Sequence, residues 1–124
     1  MRSRTRILIV DDDATSRHLM RVMLESFSCE AVEAASAIEA REIVEHETFD
    51  LILLDCRMPT MDGCEFASYL RGRPATSTVK ILGVTAASLP EQVSECEASG
   101  MDGVLIKPVP YRMLEATLNH HLPG

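Results

Sequence analysis

Positive charge is scarce in this chain. Twelve Lys and Arg stand against nineteen Asp and Glu, a formal net charge of -7. A duplex binder needs a basic face to neutralise phosphates, so nucleic acid is not expected as a partner. The one basic cluster, Arg2, Arg4 and Arg6, is too short for a groove-binding arm. Long apolar runs are missing too. The stretch after that cluster, Ile7 to Val10, meets three Asp at once, which is not the pattern of a secretory leader. Nothing approaches the roughly 18 apolar residues of a membrane span, so no membrane contact and a cytoplasmic location are expected. The four cysteines, Cys29, Cys56, Cys64 and Cys96, show no CxxC spacing. Zinc sites usually carry such pairs, and buried bystander thiols are the expectation. Cys56 adjoins Asp55, but alternation along a strand points neighbours opposite ways. Sequence repeats and low-complexity tracts are also absent, and 124 residues suit a single domain spanning 1–124.

What is present is a set of four short apolar runs, each ending on a polar residue. Ile7-Leu8-Ile9-Val10 leads into Asp11, Asp12 and Asp13, and Leu51-Ile52-Leu53-Leu54 into Asp55. Ile81-Leu82-Gly83-Val84 leads into Thr85, and Val104-Leu105-Ile106 into Lys107. Continuous aliphatic runs of this length read as strands buried on both faces, the habit of parallel sheets covered by helices. A weaker strand is expected around Glu30 to Ala34. Helices are predicted over Ala14 to Phe27, about Ala37 to His46 and about Cys64 to Leu70. A fourth opens at Pro90 and ends near Gly100, and the last is opened by Pro110. In the first helix Leu19, Met20, Met23, Leu24 and Phe27 are predicted on the inner face, with Asp13 as N-cap. Arg71 to Thr78 reads as a loop. The alternation βαβαβαβαβα predicts an α/β fold with a doubly wound five-stranded parallel sheet.

Ligands of open parallel sheets bind outside the carboxyl ends of the strands. The four polar endings therefore converge on one crevice. Three or more carboxylates gathered there repel one another and call for a cation. Hard oxygen ligands suit Mg²⁺. Asp55 is the candidate nucleophile, since a carboxylate can attack phosphorus to form an acyl phosphate. Transfer spreads charge over three equatorial oxygens, which a metal ion, the Lys107 ammonium and the Thr85 hydroxyl would stabilise.

The segments ILIVDDD, LILLDCRMPTMDG, ILGVTA and GMDGVLIKP, in this order, resemble the receiver domain of two-component response regulators. The likeness covers essentially the whole chain and leans toward receivers fused to hybrid sensor kinases. It implies a flavodoxin-like sheet in the order 2-1-3-4-5 with five helices. It also implies that Asp55 accepts a phosphoryl group from a phosphohistidine on a histidine kinase or histidine phosphotransfer protein. By the same resemblance Asp12 and Asp55 bind Mg²⁺ directly, the Arg57 carbonyl completes the protein ligands, and Asp11 acts mainly through water. Thr85 and Lys107 take the places of the switch hydroxyl and the lysine, and Lys107-Pro108 is implied to be cis. Such a module is no turnover enzyme; it catalyses only its own phosphorylation and dephosphorylation. A phosphorylation-linked homodimer fits the family as well.

Two residues depart from the family pattern. An aromatic residue often stands two or three places before the lysine, where this chain has the aliphatic Val104. Arg57 stands two places after Asp55, beside the path of an attacking water. Position 57 also argues against a haloacid-dehalogenase-type phosphatase, which would need a second Asp there. The remaining alternative is a pseudo-receiver that docks partners without phosphorylation, and Asp55, Thr85 and Lys107 together weigh against it.

Overall fold

The computed structural model describes residues 4–56, 63–86 and 90–122. Five strands form one sheet: β1 (Arg6–Val10), β2 (Glu30–Ala34), β3 (Leu51–Asp55), β4 (Lys80–Thr85) and β5 (Gly103–Ile106). Their order is β2-β1-β3-β4-β5, and every pairing is parallel. Four α-helices connect them and a fifth follows β5, counted among the described residues. These are α1 (Ala14–Ser26), α2 (Ala37–His46), α3 (Gly63–Arg71), α4 (Pro90–Ala98) and α5 (Tyr111–His121). The chain is therefore the flavodoxin-like, doubly wound α/β fold that its patterning and resemblance imply.

The inner strands carry continuous aliphatic runs because both faces are covered, while β2, at the sheet edge, keeps Glu30 and Glu33. Leu8, Val10, Ile52, Leu54 and Ile81 pack with α2, α3 and α4, through Ala37, Ala40, Val44, Phe66, Leu70 and Cys96. Ile7, Ile9, Leu51, Leu53, Leu82 and Val84 pack with α1 and α5, through Met20, Leu24, Leu114 and Leu118. Burying each such aliphatic side chain stabilises the fold by about 1.5–3 kcal/mol, against the entropy of ordering it. The period-2 alternation of a strand places successive residues in opposite layers, so one continuous run feeds two cores.

The inner face of α1 is narrower than predicted. Met20 and Leu24 are buried, and Met23 and Phe27 pack beside them, but Leu19 is 57% exposed. One residue turns the helix by about 100°, so a residue next to Met20 lies on the flank of the stripe rather than within it. The cap is as expected: the Asp13 carboxylate accepts a bond from the Ser16 amide at 3.1 Å.

Boundaries shift by a residue or so elsewhere. α3 starts at Gly63 and not Cys64, α1 ends at Ser26, and β5 stops at Ile106, just before Lys107. α4 gives way to Gly100, whose φ of 112° lies in the left-handed region that favours glycine. The Arg71–Thr78 segment holds one 3-10 turn, Pro74–Thr76. Arg71 fastens this segment to the start of β5: its guanidinium donates to the Val79 and Gly100 carbonyls at 2.6 and 2.9 Å and pairs with Asp102 at 2.9 Å.

Candidate functional site

Parallel register sets the site. Val10 pairs with Leu54, so the residues that follow, Asp11 and Asp55, leave adjacent strands at the same level of the sheet. Asp55 in turn stands opposite Val84, one residue before Thr85, and Thr85 pairs with Ile106, one residue before Lys107. All four sequence-predicted polar endings therefore meet at one edge. The Lys107 amide also donates to the Thr85 carbonyl at 2.8 Å, which ties the ends of β4 and β5 together.

One carboxylate oxygen from each of Asp11, Asp12 and Asp55 lies within 4.8 Å of the other two. Asp11 and Asp55 are nearly enclosed, at 6% and 8% exposure, whereas Asp12 is exposed. The Lys107 ammonium sits 2.9 Å from Asp11 Oδ2 and 3.6 Å from Asp55 Oδ2. Burial alone would lower the Lys107 pKa. Its hydrogen bond to Asp11 and the charges of Asp55 and Asp11 outweigh that, and the net shift is upward. The lysine is held as a cation at neutral pH.

Asp11 is tied down on both oxygens. Oδ2 accepts from Lys107, and Oδ1 accepts from the Asp13 amide at 2.9 Å. Its own carbonyl accepts from Arg17 Nη1 at 2.8 Å, a contact the sequence did not point to. Asp13 itself faces away into its cap, where hydrogen bonds from the Ser16 hydroxyl and amide hold its carboxyl below the ordinary range. That separates the fourth acid of the region from the cluster, as expected.

The charge balance bears on a metal. Three carboxylates against one ammonium leave a local excess of two negative charges, which a divalent cation would neutralise. Oxygen donors at this spacing suit a small hard ion such as Mg²⁺, which keeps several of its waters. Arg57, the remaining candidate ligand, lies outside the described residues. Thr85 is buried at the end of β4, and Ala86 beyond it is exposed. Lys107-Pro108 is cis. Val104 pairs with Gly83 and packs against the core layer that faces α4.

A groove of about 390 Å³ opens beside the acids. It is lined by Leu19, Met20 and Met23 of α1, by Pro108 and Val109, and by Asp11, Asp55 and Lys107. The exposed Leu19 thus has a place at the rim of the site. Its apolar character gave no sign of this role in the sequence.

Known proteins share this arrangement. The response regulator receiver domain family matches residues 7–119. The chain is 36% identical over 112 residues to the sensor histidine kinase RcsC of Salmonella typhimurium, covering 90% of this chain and 12% of that protein. It therefore spans about an eighth of the length of that relative. Among solved structures, the chemotaxis protein CheY4 of Vibrio cholerae superposes with a TM-score of 0.92 at 32% identity, over 97% of this chain and 100% of that one. The receiver domain of the sensor histidine kinase PA1611 of Pseudomonas aeruginosa superposes with a TM-score of 0.89 at 28% identity, over 96% and 98% of the two chains. That structure holds a magnesium ion coordinated in its active-site cleft. Strand order, acid cluster and sequence pattern agree: the chain belongs to the response regulator receiver domain family of two-component systems.

Proposed function

We propose that this domain is a phosphoaccepting switch in a two-component phosphorelay, with Asp55 as the acceptor. The observation that carries the reading is the placement of a nearly enclosed Asp55 carboxylate within 4.8 Å of two further acids and 3.6 Å from a charged lysine. Asp12 and Asp55 would hold Mg²⁺ directly with the Arg57 carbonyl. Asp11, both of whose oxygens already have partners, would act through water. When bound, the ion supplies positive charge against the oxygens of the transferring group.

The chain's own part is positioning. The Asp11 and Asp55 ends of β1 and β3 are fixed by sheet register, so the acceptor oxygen waits in place and little reorganisation is needed. Lys107 offers a cation and Thr85 a hydroxyl to a phosphoryl group that exists there only after transfer. A doubly charged group on Asp55 then draws both, and the loops after β4 and β5 shift their populations. The module turns over no separate substrate; it promotes its own phosphorylation and dephosphorylation.

A phosphohistidine on a histidine kinase or histidine phosphotransfer protein is the proposed donor. The groove supports this, because its apolar lining of Leu19, Met20 and Met23 adjoins Asp55 and suits the side of a donor helix. The setting is the cytoplasm, and the chain's acidic character is in keeping with a protein and not a nucleic acid partner. A phosphorylation-linked homodimer belongs to the same reading. A pseudo-receiver that docks partners without phosphorylation is disfavoured, because the acids, Thr85 and Lys107 stand together.

The test is intact-protein mass after incubation with acetyl phosphate and then with a phosphohistidine donor, with and without Mg²⁺. One phosphoryl gain that requires Mg²⁺ and is absent in Asp55→Asn is the expected result. Equal labelling of Asp55→Asn, or no gain with either donor, would overturn the reading. Lys107→Ala is expected to retain Mg²⁺ binding while losing most phosphoryl acceptance.

A further inference from the structure

Three of the four cysteines, scattered at positions 56, 64 and 96, meet on the sheet face beneath α4. The Cys96 thiol donates to Cys56 Sγ at 3.1 Å, and the Cys64 thiol donates to Cys96 Sγ at 3.7 Å. Cys96 is thus the shared neighbour of the other two. It is also the residue through which α4 reaches the core, the one buried member of that helix. Cys56 follows Asp55 directly and is buried, whereas Cys64, on the first turn of α3, is half-buried and reachable from solvent.

The space for these sulfurs is provided by Gly83. A Cβ there would stand 2.5 Å from Met101 Sδ and 2.9 Å from Cys56 Sγ, so a larger residue would have to push these sulfurs aside. Met101 and Cys56 thus approach Gly83 directly, while Cys96 and Cys64 continue the run of sulfurs away from it. Cys29 provides the contrast. It is buried in the opposite layer, with a backbone carbonyl as its sulfur's neighbour.

We propose that Cys64, Cys96 and Cys56 form a thiol–disulfide site that takes up oxidising equivalents from small-molecule disulfides and closes a cross-link from α4 to the neighbourhood of Asp55. The Cys64 thiolate attacks one sulfur of oxidised glutathione and expels the first glutathione thiolate. Cys96 then attacks Cys64 Sγ, the second glutathione thiolate leaves, and a Cys64–Cys96 bond is formed. Two electrons pass from the protein thiols to the glutathione disulfide, and the two thiol protons end on the two glutathiones. Attack by Cys56 on Cys96 Sγ moves the bond inward to Cys56–Cys96 and restores the Cys64 thiol.

The order of events follows from access. Burial, reinforced by the neighbouring Cys56 thiol, pushes the Cys96 thiol up to about 11, so its resting form is the thiol. It reacts through proximity to a sulfur already captured at Cys64, not as a free nucleophile. Transient disulfides of this kind are the sort a reducing compartment tolerates.

The experiment incubates the folded protein with oxidised glutathione, then alkylates the remaining thiols after denaturation and maps disulfides by peptide mass. The expected result is monomeric protein with two of its four thiols lost, one intramolecular disulfide containing Cys96, and Cys29 still alkylated. Cys96→Ala should stop at a stable glutathione adduct on Cys64. Cys64→Ser should slow thiol loss at least about tenfold, since buried thiols react poorly. Circular dichroism and thermal midpoints confirm that each variant is folded, and Cys96→Ser replaces Cys96→Ala if the latter is not. Four alkylated thiols in the treated wild type, a disulfide that omits Cys96, or bonds only between molecules would overturn the proposal. None of these readouts depends on phosphorylation, so the site stands or falls apart from the acceptor role of Asp55.

Discussion

The layer beneath α1 and α5 and the layer beneath α2, α3 and α4 cover the same sheet with different materials. α1 and α5 insert Met20, Leu24, Leu114 and Leu118, four long side chains, and the Phe27 and Tyr111 rings pack 4.6 Å apart across the helix pair. On the other face α3 contributes Phe66 and Leu70, α2 the smaller Ala37, Ala40 and Val44, and α4 Cys96 alone. Long interdigitated side chains lose many contacts when displaced, while small ones lose few. The first layer is therefore built to hold its helices in place. The second anchors α3 but leaves α4, which follows the Thr85 end of β4, at the low end of local stability, where segments that change state are found.

The largest test of that contrast is a pair of truncations. Leu114→Ala should cost about 2–5 kcal/mol, as expected for a fully buried leucine, while Cys96→Ala should cost about 1 kcal/mol or less. Urea unfolding midpoints read both values, and equal costs would erase the distinction between the anchoring of α5 and that of α4.

Gly63→Ala sharpens the comparison at the joint between acceptor and helix. A Cβ at Gly63 would lie 2.8 Å from Cys56 Cα and closer still to the Asp55 carbonyl oxygen, both rigid backbone. Overpacking of this kind costs about 1–3 kcal/mol. Because the closest displaced atom is the Asp55 carbonyl oxygen, phosphoryl acceptance should fall by more than the stability loss predicts. Wild-type labelling with reduced stability would limit the effect to packing.

The smallest effect concerns how α1 is fastened to β2. Hydrogen bonding from Arg21, opposed in part by burial and aided by Arg17, lowers the Glu33 carboxyl below its ordinary range. A carboxyl lowered on folding contributes stability that is present above its unfolded pKa and is lost as pH falls through its folded one. Glu33→Gln should therefore be slightly less stable than wild type near neutrality, with the difference vanishing on acidification. A gap that persists at low pH would assign the loss to packing instead.

The strand runs and the polar residues ending them were legible in the sequence because burial on both faces leaves an unbroken aliphatic signature. The Asp13 cap was legible because capping is local. Leu19 was not, since apolar character at a flanking position does not distinguish a core residue from the rim of a groove. The thiol cluster was hidden for a different reason. Cys56, Cys64 and Cys96 come together only because the strand order sets β3, α3 and α4 side by side, and spacing along the chain carries no trace of that. Arg71 likewise looked like the start of a loop, and its role as a clamp depends on Asp102, 31 positions away.

The bond from Lys107 to Asp11 joins residues 96 positions apart. During synthesis the acids emerge first, and at about 5–20 residues per second the lysine follows on the order of ten seconds later. Until then the nascent chain carries the carboxylates without the ammonium that holds Asp11 in place. An incomplete chain can expose acids, yet it cannot present a finished acceptor. If Asp55 is the acceptor, as proposed, competence to receive a signal is thereby tied to arrival of the last strand, and a polypeptide abandoned partway would not draw phosphoryl groups from a relay.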